Sequence, residues 1–419
     1  VRAEPGRPRR VAVVGAGLVG LSTAWFLQEH GLDVTVLERD TVASGASWGN
    51  AGWITPAMVA PLPDPVILRE ALRALARRSP GVYVPLPPGP SLLAFLGAFA
   101  RNCTPRRWQA GLAALGPLSR HALGSFDALA AGGVRGQTVA GEPVLAAYPG
   151  AVQREPLLTE LREVSRRAGP TVDFDVLDGE AVRRAEPALT SAAQAAVRIN
   201  GQRYTDPAPF TRAVADSARL RGAEIREHAA VTSVRGDDQG VTVTTSAGES
   251  RHDAVVLATG AWLGDLTAGL GIRTKVRSGR GYSFVVPVRQ LPAGPVYLPA
   301  QRLACTPTPD GRLRVAGVME FRPPAAPLDR GRVARIADGM HTMLAGADTA
   351  SRTQEWVGAR PCTADGLPVI GRTRSPRIFV AGGHGMWGIT LGPATGRLLA
   401  RAVAAGSPAP ELRPFDPLR

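Results

Sequence analysis

Residues 10–38 read RVAVVGAGLVGLSTAWFLQEHGLDVTVLE. The run Arg10–Val14 is short and rich in valine, as suits a parallel strand buried on both faces. It leads into Gly15-Ala16-Gly17-Leu18-Val19-Gly20, a GxGxxG. In such a turn the first glycine allows the tight bend and the second lets a pyrophosphate reach the backbone. The third lets helix and strand approach closely. A helix is predicted from about Leu18 to His30, with Leu21, Ala24, Trp25 and Leu27 on one stripe and Gly31 as its stop. Its first N–H groups and positive dipole end would face the phosphates. A second strand, Asp33–Leu37, ends at Glu38, eighteen positions beyond Gly20 and followed by Arg39. A carboxylate there accepts hydrogen bonds from ribose hydroxyls. One GxGxxG among 48 glycines carries little information. Strand, glycines, capped helix, second strand and terminal carboxylate together specify a dinucleotide site.

The next stretch separates FAD from NAD. Ser44-Gly45-Ala46-Ser47-Trp48-Gly49-Asn50-Ala51-Gly52-Trp53 is a run of mostly small residues just after the nucleotide unit. With few side chains in the way, Ser47, Asn50, Ala51, Gly52 and Trp53 can lie against a flavin ring and offer it backbone N–H donors.

Composition sets the outer bounds. A chain of 419 residues with 44% hydrophobic and 20% charged residues suits a globular enzyme of two intimate domains. The best candidate for a membrane span, Leu92–Ala100, is too short for one and is expected to form a buried helix. The net charge of +14 raises nucleic acid as a partner. The cations are scattered, however, and all but Lys275 are arginine, with no basic stripe carrying interleaved aromatics. No nucleic-acid partner is expected, and weak attraction to an anionic membrane surface is compatible with the charge. Cys103, Cys305 and Cys362 lie far apart, and the six histidines lack metal-ligand spacing. Neither a disulfide framework nor a metal is expected, and a reducing cytoplasm fits. The opening VRAEPGRPRR and the apolar run after it imitate a signal peptide, but cleavage there would remove the nucleotide site.

With these residues in place, the chain resembles the D-amino acid dehydrogenase branch of the glycine/D-amino acid oxidase flavoproteins. The resemblance rests on VAVVGAGLVGLSTAWFL…GLDVTVLER, SWGNAGWITP, DAVVLATGAW at 253–262, and WVGARPCTADGLPVIGRT…IFVAGGHGMWGITLGPATGRLLA. Smaller echoes are ARNC at 100–103 and GRGYSF at 279–284. It implies an α/β fold in two parts. A discontinuous Rossmann-type FAD-binding domain takes 8–60, 206–272 and 360–408. A substrate domain built on a mixed, largely antiparallel sheet takes 61–205 and 273–359. The sequence supplies matching signals. Asp206-Pro207 opens a helix over Ala208–Arg221, a strand ends near Val231, and 241–258 alternates as a hairpin before the turn at Thr259-Gly260. Val231, Thr259, Gly260 and Trp262 are expected near the cofactor. Stretches 85–90 and 322–327 read as loops.

The implied chemistry is oxidation of a Cα–N bond with non-covalent FAD, the hydride passing from Cα to the flavin N5. A neutral amine needs no strong side-chain base. Arg360, placed by the resemblance at the end of the strand WVGAR, would hold the substrate carboxylate through its planar fork. The relatives' second anchor, a tyrosine, is not evident where Leu303, Ala304 and Cys305 stand, and Tyr297 and Tyr282 are the replacements. The loop Gly382–Gly388, fed by strand 378–381, would approach the flavin through Gly383, His384, Gly385, Met386 and Gly388. A helix from about Ile389, with Thr390 in its first turn, would point its positive end at the flavin N1–C2=O edge. His384 reads as a spacing and hydrogen-bonding residue, with a general acid/base role as the alternative; Met386 and Trp387 would wall the pocket. Cys362 raises covalent flavin attachment, but the relatives' linking cysteine aligns nearer Gly358. The substrate remains open between a small D-amino acid and a secondary amine such as a D-proline-like or sarcosine-like compound. The acceptor is a quinone, another carrier or O2. A reading of another class is a flavin-bearing electron-transfer subunit of a larger complex.

Overall fold

The computed structural model describes residues 8–66, 82–85, 87–141, 143–168 and 172–419. The basic segment before Pro8 and position 86 of the 85–90 loop lie outside the described residues. The fold is α/β and is organised by two large sheets.

In the first sheet β1 (Arg10–Val14) lies between β2 (Asp33–Leu37) and β14 (Ala254–Leu257), all parallel. The strands β10 (Glu224–Arg226) and β21 (Ile378–Gly382) continue the parallel order on either side, and β20 (Val369–Arg372) closes one edge antiparallel. The valine run of β1 is buried on both faces. Val11 and Val13 pack under helices, while Ala12 and Val14 face the three-stranded sheet of β11 (Val231–Gly236), β12 (Val241–Thr245) and β13 (Gly248–His252). On the helical side α1 (Leu18–Glu29) packs with α4 (Pro207–Leu220) and α5 (Gly388–Ala405). Trp25 Nε1 of α1 donates to Ser217 Oγ of α4 at 3.0 Å. Val231 begins β11 and does not end a strand, because β10 has already stopped at Arg226.

The second sheet runs β19 (Thr353–Cys362), β15 (Arg277–Val286), β18 (Leu313–Glu320), β17 (Leu303–Pro307), β16 (Val296–Leu298), β6 (Val144–Tyr148), β8 (Ala195–Ile199), β7 (Phe174–Asp178), with β4 (Val82–Tyr83) beside β18. One face buries Tyr282, Phe284, Leu298, Cys305 and Val315 against Val333, Ile336 and Met340 of the helix Arg330–His341. The other face turns toward the first unit. A small sheet of β3 (Trp53–Ile54), β9 (Gln202–Tyr204) and β5 (Val139–Gly141) joins the two.

Two features depart from the expected layout. The helices α2 (Pro105–Arg120) and α3 (Ala122–Ala131) fall within 61–205, yet Leu115, Leu118, Phe126 and Leu129 join the core of the nucleotide unit around Trp25 and Phe210. Their apolar stripes are buried there, so packing crosses the boundary drawn from sequence. Second, the apolar run 92–100 lies in a helix, Pro90–Asn102, of which only Phe95 is buried and Leu93 is 54% exposed. One stripe of that helix meets Met319, Phe321 and Cys362, and the rest stays at the surface.

Candidate active site

The nucleotide end is built on the turn after β1. Gly15 has φ +110°, and a Cβ there would stand 2.5 Å from the Ala258 carbonyl oxygen. Only glycine fits both the angle and the space. Its N–H donates to the Leu37 carbonyl at 2.8 Å, so the turn is wedged between β2 and β14. The Glu38 carboxylate reaches back over it, accepting from Ala16 N–H (2.7 Å) and Asp40 N–H (3.0 Å). Helix α1 starts at Leu18 with Gly17 as its cap and no side-chain capping bond. Leu18 N–H donates to Ser47 Oγ at 3.2 Å, which brings the small-residue loop to the helix N-terminus; Val19 and Gly20 follow in that first turn. Nearby, Thr259 Oγ1 is buried with no partner among the described residues, ahead of Gly260 at φ +58°. The Arg39 guanidinium stacks 3.6 Å from the Trp262 ring centre. A helix N-terminus, two hydroxyls and a carboxylate at the carboxyl ends of parallel strands form the donor set that suits phosphates and a ribose. The residues present fit FAD.

The 44–53 and 382–388 loops are tied to each other and to the second sheet. Asn50 Oδ1 accepts from Gly52 N–H at 3.0 Å. The Ala51 carbonyl accepts from the Thr306 hydroxyl (2.7 Å), and Thr306 Oγ1 accepts from Trp53 Nε1 (2.8 Å). The Trp53 carbonyl in turn accepts from the Thr390 hydroxyl at 2.9 Å. Thr390 and Ile389 lie buried in the first turn of α5, whose cap Trp387 makes no side-chain capping bond. The positive end of α5 is therefore set beside the 44–53 loop. In the loop before it, Gly383 and Gly385 have φ of +74° and +56°, and Gly385 N–H donates to the Pro361 carbonyl at 2.8 Å. Gly388 opens the helix, and Trp387 Nε1 donates to the Ala60 carbonyl at 2.8 Å. A small cavity is lined by Leu62, Cys362, Thr363 and Gly383–Trp387, with Met386 at its exposed rim.

His384 is held inside the protein against α5. It is 3% exposed, its Nε2 lies 2.9 Å from Thr395 Oγ1 of α5, and burial pushes its pKa down to about 4. It is neutral near pH 7, and its contact with Thr395 suits a residue that spaces the loop from the helix.

Arg360 lies within β19, which continues to Cys362 and does not end at the arginine. Pro361 is accommodated because β19 is the edge of the sheet, where its missing N–H is not required. Trp356, Gly358 and Arg360 alternate onto the face turned toward the cofactor loops. The Trp356 ring lies over Gly358, against Gly49, and 6.1 Å from the Trp48 ring. The Arg360 guanidinium lies over Gly281, where a Cβ would overlap it, and Nη1 donates to the Val318 carbonyl at 2.8 Å. It makes no ion pair with a carboxylate among the described residues, and burial pulls its pKa below the usual arginine value; a guanidinium stays charged in proteins.

The two tyrosines separate. Tyr282 stands opposite Val357, fully buried on the reverse face, and donates to Glu320 Oε2 at 2.7 Å. It therefore does not share a face with Arg360, and its reading as a substrate anchor is corrected: strand alternation turns it into the core. Tyr297 stands opposite Ala304 on the side of the 44–53 loop and meets the Trp53 ring edge-on at 5.8 Å. It occupies the place next door to the position where the tyrosine was sought.

Reading by sequence missed Trp356, Thr306, Gly281 and Val318. Trp356 was within reach, since a period of two from Arg360 puts it on the same face. Thr306 and Val318 carry no local signal, because they matter only through strands paired across the sheet.

The pattern of the FAD dependent oxidoreductase family (DAO) matches residues 10–402. A D-amino acid dehydrogenase from Cereibacter sphaeroides (strain ATCC 17029 / ATH 2.4.9) is 31% identical over 411 residues, covering 95% of this chain and 92% of that protein. One from Xanthobacter autotrophicus is 30% identical over 410 residues, covering 95% and 96%. Among solved structures, a glycine oxidase from Geobacillus kaustophilus superposes with a TM-score of 0.73 at 23% identity, over 98% of this chain and 99% of the other. With the nucleotide turn, the flavin-side loops and the sheet in place, the chain belongs to the DAO family of FAD-dependent oxidoreductases.

Proposed function

We propose that the chain oxidises the Cα–N bond of a small amino acid, taking the D-enantiomer where Cα is chiral. The product is an imino acid, which water hydrolyses to a 2-oxo acid and ammonia. Arg360 carries this reading. It is a cation whose one hydrogen bond among the described residues is to a carbonyl, set between the loop that meets Pro361 and the loop that meets Trp356. A carboxylate paired with its planar fork would be fixed in position and tilt. The curated relatives are named D-amino acid dehydrogenases, which supports the same substrate class.

Bound FAD would supply the two-electron acceptor for a hydride leaving Cα. Gly15, Gly17, Leu18, Val19, Gly20, Glu38, Ser47 and Thr259 would hold its nucleotide part. The 50–53 and 383–390 segments would lie along its ring, held there without a covalent bond. The positive end of α5 favours negative charge on a group placed against it. Tyr297, Trp53 and Trp356 bound the substrate side, and His384, with Nε2 turned to Thr395 and a pKa lowered by burial to about 4, is only a weak base. The amine therefore gives up its proton to solvent before the hydride leaves.

The test is an anaerobic panel of D- and L-amino acids, glycine, D-proline and sarcosine, watching the flavin absorbance and assaying ammonia. Bleaching by D-amino acids with one ammonia per turnover is expected, and reoxidation by a quinone or dye should outpace that by air. Bleaching confined to secondary amines, without ammonia, would replace this reading, and a preference for L-substrates would remove its stereochemical part. Isolated protein inert with every substrate and artificial acceptor would favour an electron-transfer subunit.

A further inference from the structure

The sheet behind Arg360 contains an irregularity that the proposed chemistry does not by itself require. In the β15–β18 pair Tyr282 stands opposite Gly317, but Arg280 stands opposite Glu320. One step on β15, Gly281, thus faces two on β18, Val318 and Met319, which is a β-bulge. Val318 adopts φ +51°, a left-handed conformation that a β-branched residue strongly resists. Its carbonyl is the one that accepts from Arg360 Nη1.

Behind the bulge lies a charged cluster centred on two fully buried residues, Glu320 and Arg280. Glu320 is sealed from solvent and accepts from the Tyr282 hydroxyl at 2.7 Å. It pairs with Arg332 Nε at 3.1 Å and with Arg280 Nη1 and Arg322 Nη1 at 3.4 Å each. Arg280 is also fully buried and donates to the Ala326 and Pro327 carbonyls at 2.6 and 3.1 Å, which fastens the loop beyond β18. Desolvating these charges is costly, and an apolar core would stabilise this place as well. The cluster brackets the bulge from both strands, since Glu320 closes it on β18 while Arg280 and Tyr282 flank Gly281 on β15.

We propose that Glu320, with Tyr282 and Arg280, is a positioning device for substrate recognition. It clamps the bulge so that Val318 keeps its strained conformation, and the Val318 carbonyl then fixes the tilt of the Arg360 fork. Gly281 completes the arrangement by leaving space for the guanidinium. Tyr282 thus acts on the substrate from the far side of the sheet. The inference rests on the reading of Arg360 as carboxylate anchor.

The first test is Tyr282→Phe, which keeps the ring and removes only the donor to Glu320. At unchanged flavin content, KM for the best amino acid should rise about three- to tenfold, the loss of roughly one hydrogen bond. Oxidation of an amine lacking the carboxylate should be unaffected, which a general loosening of the fold would not achieve. Glycine tolerates a positive φ without help, so adding Val318→Gly to Tyr282→Phe should bring KM back to that of Val318→Gly alone. Additive effects, or a Tyr282→Phe enzyme with wild-type kinetics, would overturn the clamp. Should Tyr282→Phe not fold, Arg322→Gln withdraws one cation of Glu320 from a side chain 32% exposed. The same carboxylate-selective rise is expected there, and its absence refutes the proposal. If Arg360→Leu leaves amino acid kinetics unchanged, the anchor reading itself fails. If Arg360→Leu is impaired and the Tyr282 and Arg322 variants are not, only the clamp fails.

Discussion

Replacing Arg360 by leucine tests the substrate reading most directly. The side chain lies over Gly281 and, among the described residues, makes one hydrogen bond, to the Val318 carbonyl, and no ion pair, so leucine can occupy the same space without disturbing one. What is lost is a charge-assisted pair to the substrate carboxylate, worth about 1.5–3 kcal/mol. At about 1.4 kcal/mol per tenfold, that is roughly a ten- to hundredfold drop in kcat/KM. Arg360→Lys keeps the charge but loses the fork. One ammonium cannot meet the Val318 carbonyl and both carboxylate oxygens in the same planar geometry, so this variant should be impaired, though less than leucine. The assay is steady-state oxidation of the best amino acid with a dye acceptor, at matched flavin content and melting temperature. An amine without a carboxylate should be a poor substrate for both wild type and variant, with little difference between them. Arg360→Leu with full flavin and unchanged kcat/KM would refute the assignment.

At the nucleotide end, Gly17 has ordinary backbone angles, and a Cβ there would lie 3.6 Å from its nearest neighbour, Ser47 Oγ. Gly17→Asp should therefore fold yet purify colourless, because its carboxylate would repel the phosphates; full flavin occupancy would exclude this turn as the phosphate site. His384 gives a pH signature. Its folded pKa of about 4 lies below the ordinary histidine value of 6.5, so the unfolded chain binds the extra proton between these values. Its contribution is complete above about pH 6.5 and lost as pH falls through about 4, a change of about 3 kcal/mol. Chemical denaturation across that window should show a steeper fall in stability for wild type than for His384→Asn, and parallel curves would contradict it. Cys362 is buried, and burial pushes its thiol up to about 11, so it is a poor nucleophile at neutral pH. Acid precipitation should leave all the flavin in the supernatant, and a yellow pellet that Cys362→Ser turns white would establish a covalent link.

The sequence by itself determined the nucleotide unit. Its signals are local: a valine run, three glycines at fixed spacing, a helix stop and a carboxylate all fall within 29 residues, Arg10 to Glu38. Each follows from backbone sterics or from a short apolar run, and neither signal needs a distant partner to be read, although the helix itself is buried from Gly20 to Leu27. The C-terminal loop and its helix were legible for the same reason. Tertiary structure decided whatever depends on which strand lies beside which. The alternation of β15 turned Tyr282 away from the site, while the pairing of β16 with β17 brought Tyr297 level with Ala304. Burial made His384 neutral, and no motif carries that information. The bulge at Val318 exists only because β18 holds one residue more than β15 needs, and the carbonyl it turns toward Arg360 lies 42 positions away in the chain. A sheet register couples residues through space with no fixed spacing in sequence, so the contacts that orient Arg360 appear only once the strands are paired.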